Sequence, residues 1–160
     1  MAEEKTVDYQ KEVNTLVEKA GKALDEFLNL NQEQVDYIVA KCSVAGLDHH
    51  GDLAQKAVDE TGRGIFEDKA TKNLFACEYV VNNMRHLKTV GVISEDPVTG
   101  ITEIADPIGV IAGITPVTNP TSTVIFKSLI CLKTRIITLI TQVINIITIR
   151  GFGKTNSYIL

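Results

Sequence analysis

Ile108-Gly109-Val110-Ile111-Ala112-Gly113-Ile114 runs into Thr115-Pro116-Val117-Thr118-Asn119-Pro120 and then into Thr121-Ser122-Thr123-Val124-Ile125. The first stretch is a continuous apolar run entered through Asp106-Pro107, the pattern of a strand buried on both faces of a parallel sheet. The second carries Pro116 and Pro120 and cannot continue as strand or helix. Beyond it, Val124, Ile125, Ser128, Leu129 and Leu132 predict a helix. Strand, loop and helix in this order form half of a nucleotide-binding βαβ unit, so the fold class is α/β. A loop at the carboxyl end of such a strand is where open α/β sheets bind ligands, and the following helix N-terminus offers free N–H groups to a phosphate or an oxyanion. Thr118 and Asn119 are the donors expected there. The alternative is a proline-bracketed turn in which Thr118 and Asn119 only cap the helix.

Upstream of this unit the signals are helical. Val13, Leu16, Val17, Ala20, Leu24, Phe27 and Leu28 recur at three- and four-residue steps with Lys and Glu between them, which predicts one amphipathic helix over Val7–Leu28. Asn31 with Gln34 reads as a capping box, and Val35, Ile38, Val39 and Cys42 continue as the buried stripe of a second helix ending around Gly46. Asp48-His49-His50-Gly51 reads as a loop before a third helix through Leu53, Ala57 and Val58. Gly62 and Gly64 then force a bend. Ala70, Leu74, Cys77, Val80, Val81, Met84 and Leu87 predict the longest helix, from about Glu67 to Lys88. After Gly91, Val92-Ile93 and Ile101 to Ala105 flank the turn Asp96-Pro97-Val98-Thr99-Gly100, which predicts a hairpin.

Composition narrows the function classes. The 160 residues are 44% hydrophobic and 22% charged, as in an ordinary globular domain. Sixteen Lys+Arg against twenty Asp+Glu give a net charge of −4, the wrong sign for a protein held on phosphate backbones by counterion release, so nucleic acid is excluded as a partner. The charge is uneven: residues 1–100 carry 11 basic and 18 acidic side chains, and residues 101–160 carry 5 basic and 2 acidic. No apolar run reaches the ~18–20 residues needed to span a bilayer, and the acidic start Ala2-Glu3-Glu4-Lys5 is unlike a secretory signal. A cytoplasmic protein without membrane contact is expected.

The remaining reactive residues suggest no chemistry of their own. Cys42, Cys77 and Cys131 fall on apolar stripes and have no metal-ligand spacing, so buried reduced thiols and no metal are expected. His49-His50 beside Asp48 lacks any helix-spaced partner that would complete a metal site. His86, between Arg85 and Lys88, is expected to be solvated. Gly151-Phe152-Gly153-Lys154-Thr155 lacks the earlier glycine of a phosphate loop, since that position is Thr148.

Longer stretches carry a resemblance. Glu60-Thr61-Gly62-Arg63-Gly64-Ile65-Phe66-Glu67-Asp68-Lys69, Lys72-Asn73, Phe75-Ala76-Cys77-Glu78-Tyr79, Gly91 to Asp96 and above all Asp106 to Leu129 resemble the N-terminus of the bifunctional aldehyde-alcohol dehydrogenases, over about residues 10–135. These enzymes join a coenzyme A-acylating aldehyde dehydrogenase to an iron-dependent alcohol dehydrogenase. The resemblance implies the N-terminal portion of an aldehyde dehydrogenase-like fold: helices, a hairpin and the start of a parallel dinucleotide-binding sheet. It implies NADH-dependent reduction of acetyl-CoA to acetaldehyde through a cysteine thioester. It further implies that the backbone of Thr115, Pro116 and Val117 faces NAD and that the loop offers an oxyanion donor. In the wider superfamily this loop reads Pro-Trp-Asn-Phe-Pro, which aligns Thr118 with the amide residue, so Thr118 and Asn119 both stand as donor candidates.

The similarity stops just after Leu132-Lys133-Thr134-Arg135. From Ile136 to Ile149 there are seven isoleucines, three threonines and no charge, a strongly strand-prone composition. The expected organisation is therefore a partial aldehyde dehydrogenase N-terminal domain over residues 1–135 and an aberrant Ile/Thr-rich tail over 136–160, with a shifted reading frame as its expected origin. The family's nucleophilic cysteine is expected to be absent, Cys77 and Cys131 standing where the family usually has serine. Two functional expectations follow: a segment of an acylating dehydrogenase that is inactive alone, or a non-catalytic assembly fragment that pairs through its hairpin with itself or with family subunits.

Overall fold

The computed structural model describes residues 8–142 and 158–159. Its elements follow in order as α1 (Tyr9–Phe27), α2 (Gln32–Asp48), α3 (His50–Thr61), α4 (Phe66–Cys77), α5 (Tyr79–Met84), β1 (Gly91–Asp96), β2 (Ile101–Ala105), β3 (Val110–Thr115), α6 (Pro120–Lys133), β4 (Ile137–Gln142) and β5 (Tyr158–Ile159). This is the α/β arrangement of helices, then a hairpin, then a parallel pair joined by a helix.

β3 and β4 run parallel in the register Val110↔Ile137 to Thr115↔Gln142, and α6 is their crossover. The strand-prone segment after Arg135 thus supplies β4, whose Ile137 and Thr138 are buried; β5 pairs antiparallel on its far side. The Gly151–Thr155 stretch lies outside the described residues. β1 and β2 form the expected antiparallel hairpin, with a register shift between Val92 and Ser94.

The main core joins Val35 and Val39 of α2, Val81 and Met84 of α5, and Leu129 and Leu132 of α6. α2 begins with the capping box foreseen at Asn31 and Gln34, both reciprocal bonds being present. α3 ends on Gly62 at φ 60°, a left-handed conformation that a residue without Cβ adopts at no steric cost.

Four expectations are corrected. The helix expected over Glu67–Lys88 is two, interrupted at Glu78, whose N–H still bonds Leu74 O and Phe75 O; both pieces keep the same buried stripe, so periodicity alone does not register the break. Asp48 to Gly51 is not a loop, because α2 runs to Asp48 and α3 starts at His50 with only His49 between them. The tight junction is held by His50 Nδ1, 2.6 Å from Leu47 O. Cys42 is exposed and Ser43 takes its place inside, completing the row Val35, Val39, Ser43 at four-residue steps. Finally, β3 is covered on one face only: Gly113 and Thr115 are buried while Ile114 is 66% exposed. Val13 and Val17 of α1 are likewise open.

Candidate functional site at the carboxyl end of β3

β3 ends at Thr115, and the chain turns through Pro116, Val117, Thr118 and Asn119 into α6. The residues singled out in the sequence are therefore together in one loop. Pro116 and Thr118 are exposed, Val117 and Asn119 are half-buried, and Thr115 is buried with its Oγ1 lacking a partner. Pro120 occupies the first helical turn, where its missing N–H costs nothing. Asn119 is the N-cap residue, yet its side chain makes no capping bond. The capping alternative therefore does not describe Asn119.

Its side chain is engaged elsewhere. Asn119 Oδ1 accepts from Lys72 Nζ at 3.0 Å, and the Thr118 carbonyl accepts from Lys69 Nζ at 2.9 Å. A third ammonium group, Lys127 Nζ, donates to Ile114 O at 2.9 Å. Beneath them Asn73, fully buried, donates to His50 O at 2.9 Å and accepts from Thr121 Oγ1 at 2.8 Å. Among the described residues the one ion pair is Lys133 with Asp36. The three lysines around the loop thus direct their charge onto neutral oxygens.

Lys69 is 5% exposed. Burial holds its pKa below the ordinary lysine value, and the neighbouring Lys72 charge lowers it further. Removal from water and like charge both disfavour the ammonium form. Lys69, Lys72 and Asn73 carried no assigned role in the sequence, although their spacing places them on one side of a helix. The expectation of a site in a βα loop did not reveal that α4 would lie across it.

The thiols offer no activated nucleophile. Burial pushes Cys77 up to about 11 and raises Cys131 as well, and desolvation also raises Cys42 on the open side of α2. Nucleophilic cysteines need the opposite shift. No group of three or more His, Cys, Asp or Glu among the described residues could hold a metal ion.

Residues 4–136 match the model of the aldehyde dehydrogenase family. The chain belongs to the aldehyde dehydrogenase family. Within it, the similarity runs to the bifunctional aldehyde-alcohol dehydrogenases. It is 62% identical over 137 residues to aldehyde-alcohol dehydrogenase 2 of Entamoeba histolytica, a match covering 84% of this chain and 16% of that protein. It is 71% identical over 133 residues to the aldehyde-alcohol dehydrogenase of Streptococcus pneumoniae, covering 83% of this chain and 15% of that protein. The crystal structure of an acetylating aldehyde dehydrogenase from Geobacillus thermoglucosidasius superposes with a TM-score of 0.83 at 43% identity, over 86% of this chain and 31% of that one. This aldehyde dehydrogenase chain therefore spans about one sixth of the curated relatives' length. No described helix is long and apolar enough to cross a membrane.

Proposed function

We propose that the chain is the cofactor-facing N-terminal segment of a CoA-acylating acetaldehyde dehydrogenase, which reduces acetyl-CoA to acetaldehyde with NADH, and that the 160-residue chain alone does not turn over. The observation that carries this reading is the loop Thr115–Pro120 at the end of a parallel strand, surrounded by Lys69, Lys72 and Lys127. Three ammonium groups at one loop suit an anionic dinucleotide and an anionic acyl-CoA, to which cationic side chains are attracted. The backbone of Thr115 to Val117 would face NAD, which when bound exchanges a hydride with the acyl carbon. Thr118 or Asn119 donates to the acyl oxygen as charge develops there; one such positioned donor contributes about 2.7–4 kcal/mol in a hydrolase where it has been removed. The reading of inactivity rests on its thiols, each of which burial raises above the ordinary cysteine value, the opposite of what activates a nucleophile. The same reading makes it a cytoplasmic protein.

Three measurements test this. In a CoA-dependent NADH oxidation assay the chain alone gives only the background rate; turnover above background overturns the claim of inactivity. Added to an aldehyde-alcohol dehydrogenase deleted of its matching N-terminal segment, the chain restores NADH oxidation. Absence of restoration, with both partners soluble, overturns the segment reading. NAD at 100 times its dissociation constant adds about 2.7 kcal/mol to a protein with a complete site; no shift is expected for this chain by itself.

A second reading is favoured by one observation. Both strands of the β1–β2 hairpin are open to solvent almost throughout, and a free ribbon edge pairs readily. The chain would then act by assembling with itself or with family subunits.

A further inference from the structure

Thr118 and Asn119 share one peptide unit; one lysine of α4 bonds that unit and a second bonds the Asn119 side chain. Lys69 Nζ holds the Thr118 carbonyl at 2.9 Å, and Lys72 Nζ holds Asn119 Oδ1 at 3.0 Å. No cis peptide occurs among the described residues, and in a trans peptide the carbonyl and the following N–H point in opposite directions. Fixing the Thr118 carbonyl toward α4 therefore aims the Asn119 N–H away from α4. Fixing Asn119 Oδ1 on Lys72 likewise turns its Nδ2 hydrogens away from Lys72, because the two branches of a planar amide diverge.

We propose that Lys69 and Lys72 are positioning residues that select Asn119, through its backbone and side-chain amides, as the oxyanion donor of this loop. Neither lysine touches the reacting atoms. Each acts through the Thr118–Asn119 unit, and Lys127 steadies the other end of the loop through Ile114 O. A buried lysine is costly unless it is hydrogen-bonded, and Lys69, at 5% exposure, has the Thr118 carbonyl as its acceptor. Substituting a neutral side chain removes the hydrogen bond that holds the Thr118 carbonyl toward α4. The proposal rests on the acylating reading for its chemistry, but not for its geometry.

The test is carbon- and nitrogen-edited NMR of the intact chain, comparing wild type with Lys69→Met, Lys69→Arg and Lys72→Met. A charge-assisted hydrogen bond deshields its carbonyl carbon. Lys69→Met is expected to shift the Thr118 carbonyl upfield and to displace the Asn119 backbone amide signal, and Lys69→Arg to return both toward wild type. Lys72→Met is expected to move the Asn119 side-chain amide signals while leaving the Thr118 carbonyl in place. If Lys69→Met does not fold, the exposed Lys72→Met carries the test. Unchanged Thr118 and Asn119 signals in a folded variant overturn the proposal. So does a shift that arginine fails to reverse, since that is the mark of general packing. These signals need no turnover, so their failure is distinct from failure of the NADH assay.

Discussion

Arg135 shows how much one side chain ties together. It stands just past α6 at φ 54°, a left-handed conformation usually left to glycine or asparagine. Its N–H bonds Leu132 O at 3.2 Å, and the Ile136 N–H bonds Cys131 O at 2.8 Å, the paired bonds that close a helix in a Schellman turn. The buried guanidinium donates to Leu28 O beyond α1 at 3.0 Å and to Ala105 O at the end of β2 at 3.3 Å. Arg135→Met keeps the backbone strain and strands both carbonyls, so a loss of about 2–4 kcal/mol is expected in urea unfolding. A change within 0.5 kcal/mol would show that water replaces the guanidinium. Cys77 gives a pH-dependent counterpart. Burial raises its thiol from 9.0 to about 11, so the unfolded chain ionises first as pH rises. The contribution is complete below pH 9 and is lost as pH passes through about 11, at most about 2–3 kcal/mol. Unfolding curves of wild type and Cys77→Ala between those limits are expected to converge. Iodoacetamide mapping of the folded chain is expected to label the exposed Cys42 ahead of Cys77 and Cys131.

Elements were legible where a local rule sets them and less so where a neighbour does. The capping box at Asn31 and the glycine stop at Gly62 are local, and both are observed. Gly46 is the opposite case: in sequence it marks a helix end, since glycine costs about 1 kcal/mol inside a helix relative to alanine. The structure shows α2 continuing through it to Asp48, and a Cβ there would come within 2.6 Å of Cys77 Sγ. The close approach of α2 to α4 is the reason for the glycine, and no pattern within α2 reveals it. Gly46→Ala is therefore expected to destabilise by about 1–2 kcal/mol, overpacking outweighing the gain in helix propensity. Removing the opposing sulfur should restore part of the loss. A double-mutant cycle with Cys77→Ala is expected to show non-additivity of at least about 0.5 kcal/mol, and simple additivity would sink the contact argument. The lysine grip on the loop was hidden for the same reason. Lys69 and Thr118 are 49 positions apart, and only the packing of α4 on α6 brings them together.

At the scale of the whole molecule, sequence periodicity identified apolar faces but not what covers them. The stripe of α1 and the run in β3 both suggested burial, yet Val13 is 52% and Ile114 66% exposed. The hairpin is the extreme case, with Ile101 59% and Ile104 65% exposed on a ribbon that pairs with no other described strand. A lone two-stranded ribbon is marginal in water, and its open edges and apolar side chains are relieved by pairing with another chain. The intact chain is therefore expected to self-associate, with a weight-average sedimentation coefficient that rises with concentration across the micromolar range. Ile101→Lys with Ile104→Lys adds two like charges to each ribbon, which opposes edge pairing while breaking no core contact, since neither side chain belongs to the buried cluster. The double variant is expected to sediment as a monomer with an unchanged far-ultraviolet circular dichroism spectrum. If it still associates as wild type does, the ribbon is not the contact, and the open valines of α1 become the surface to alter next.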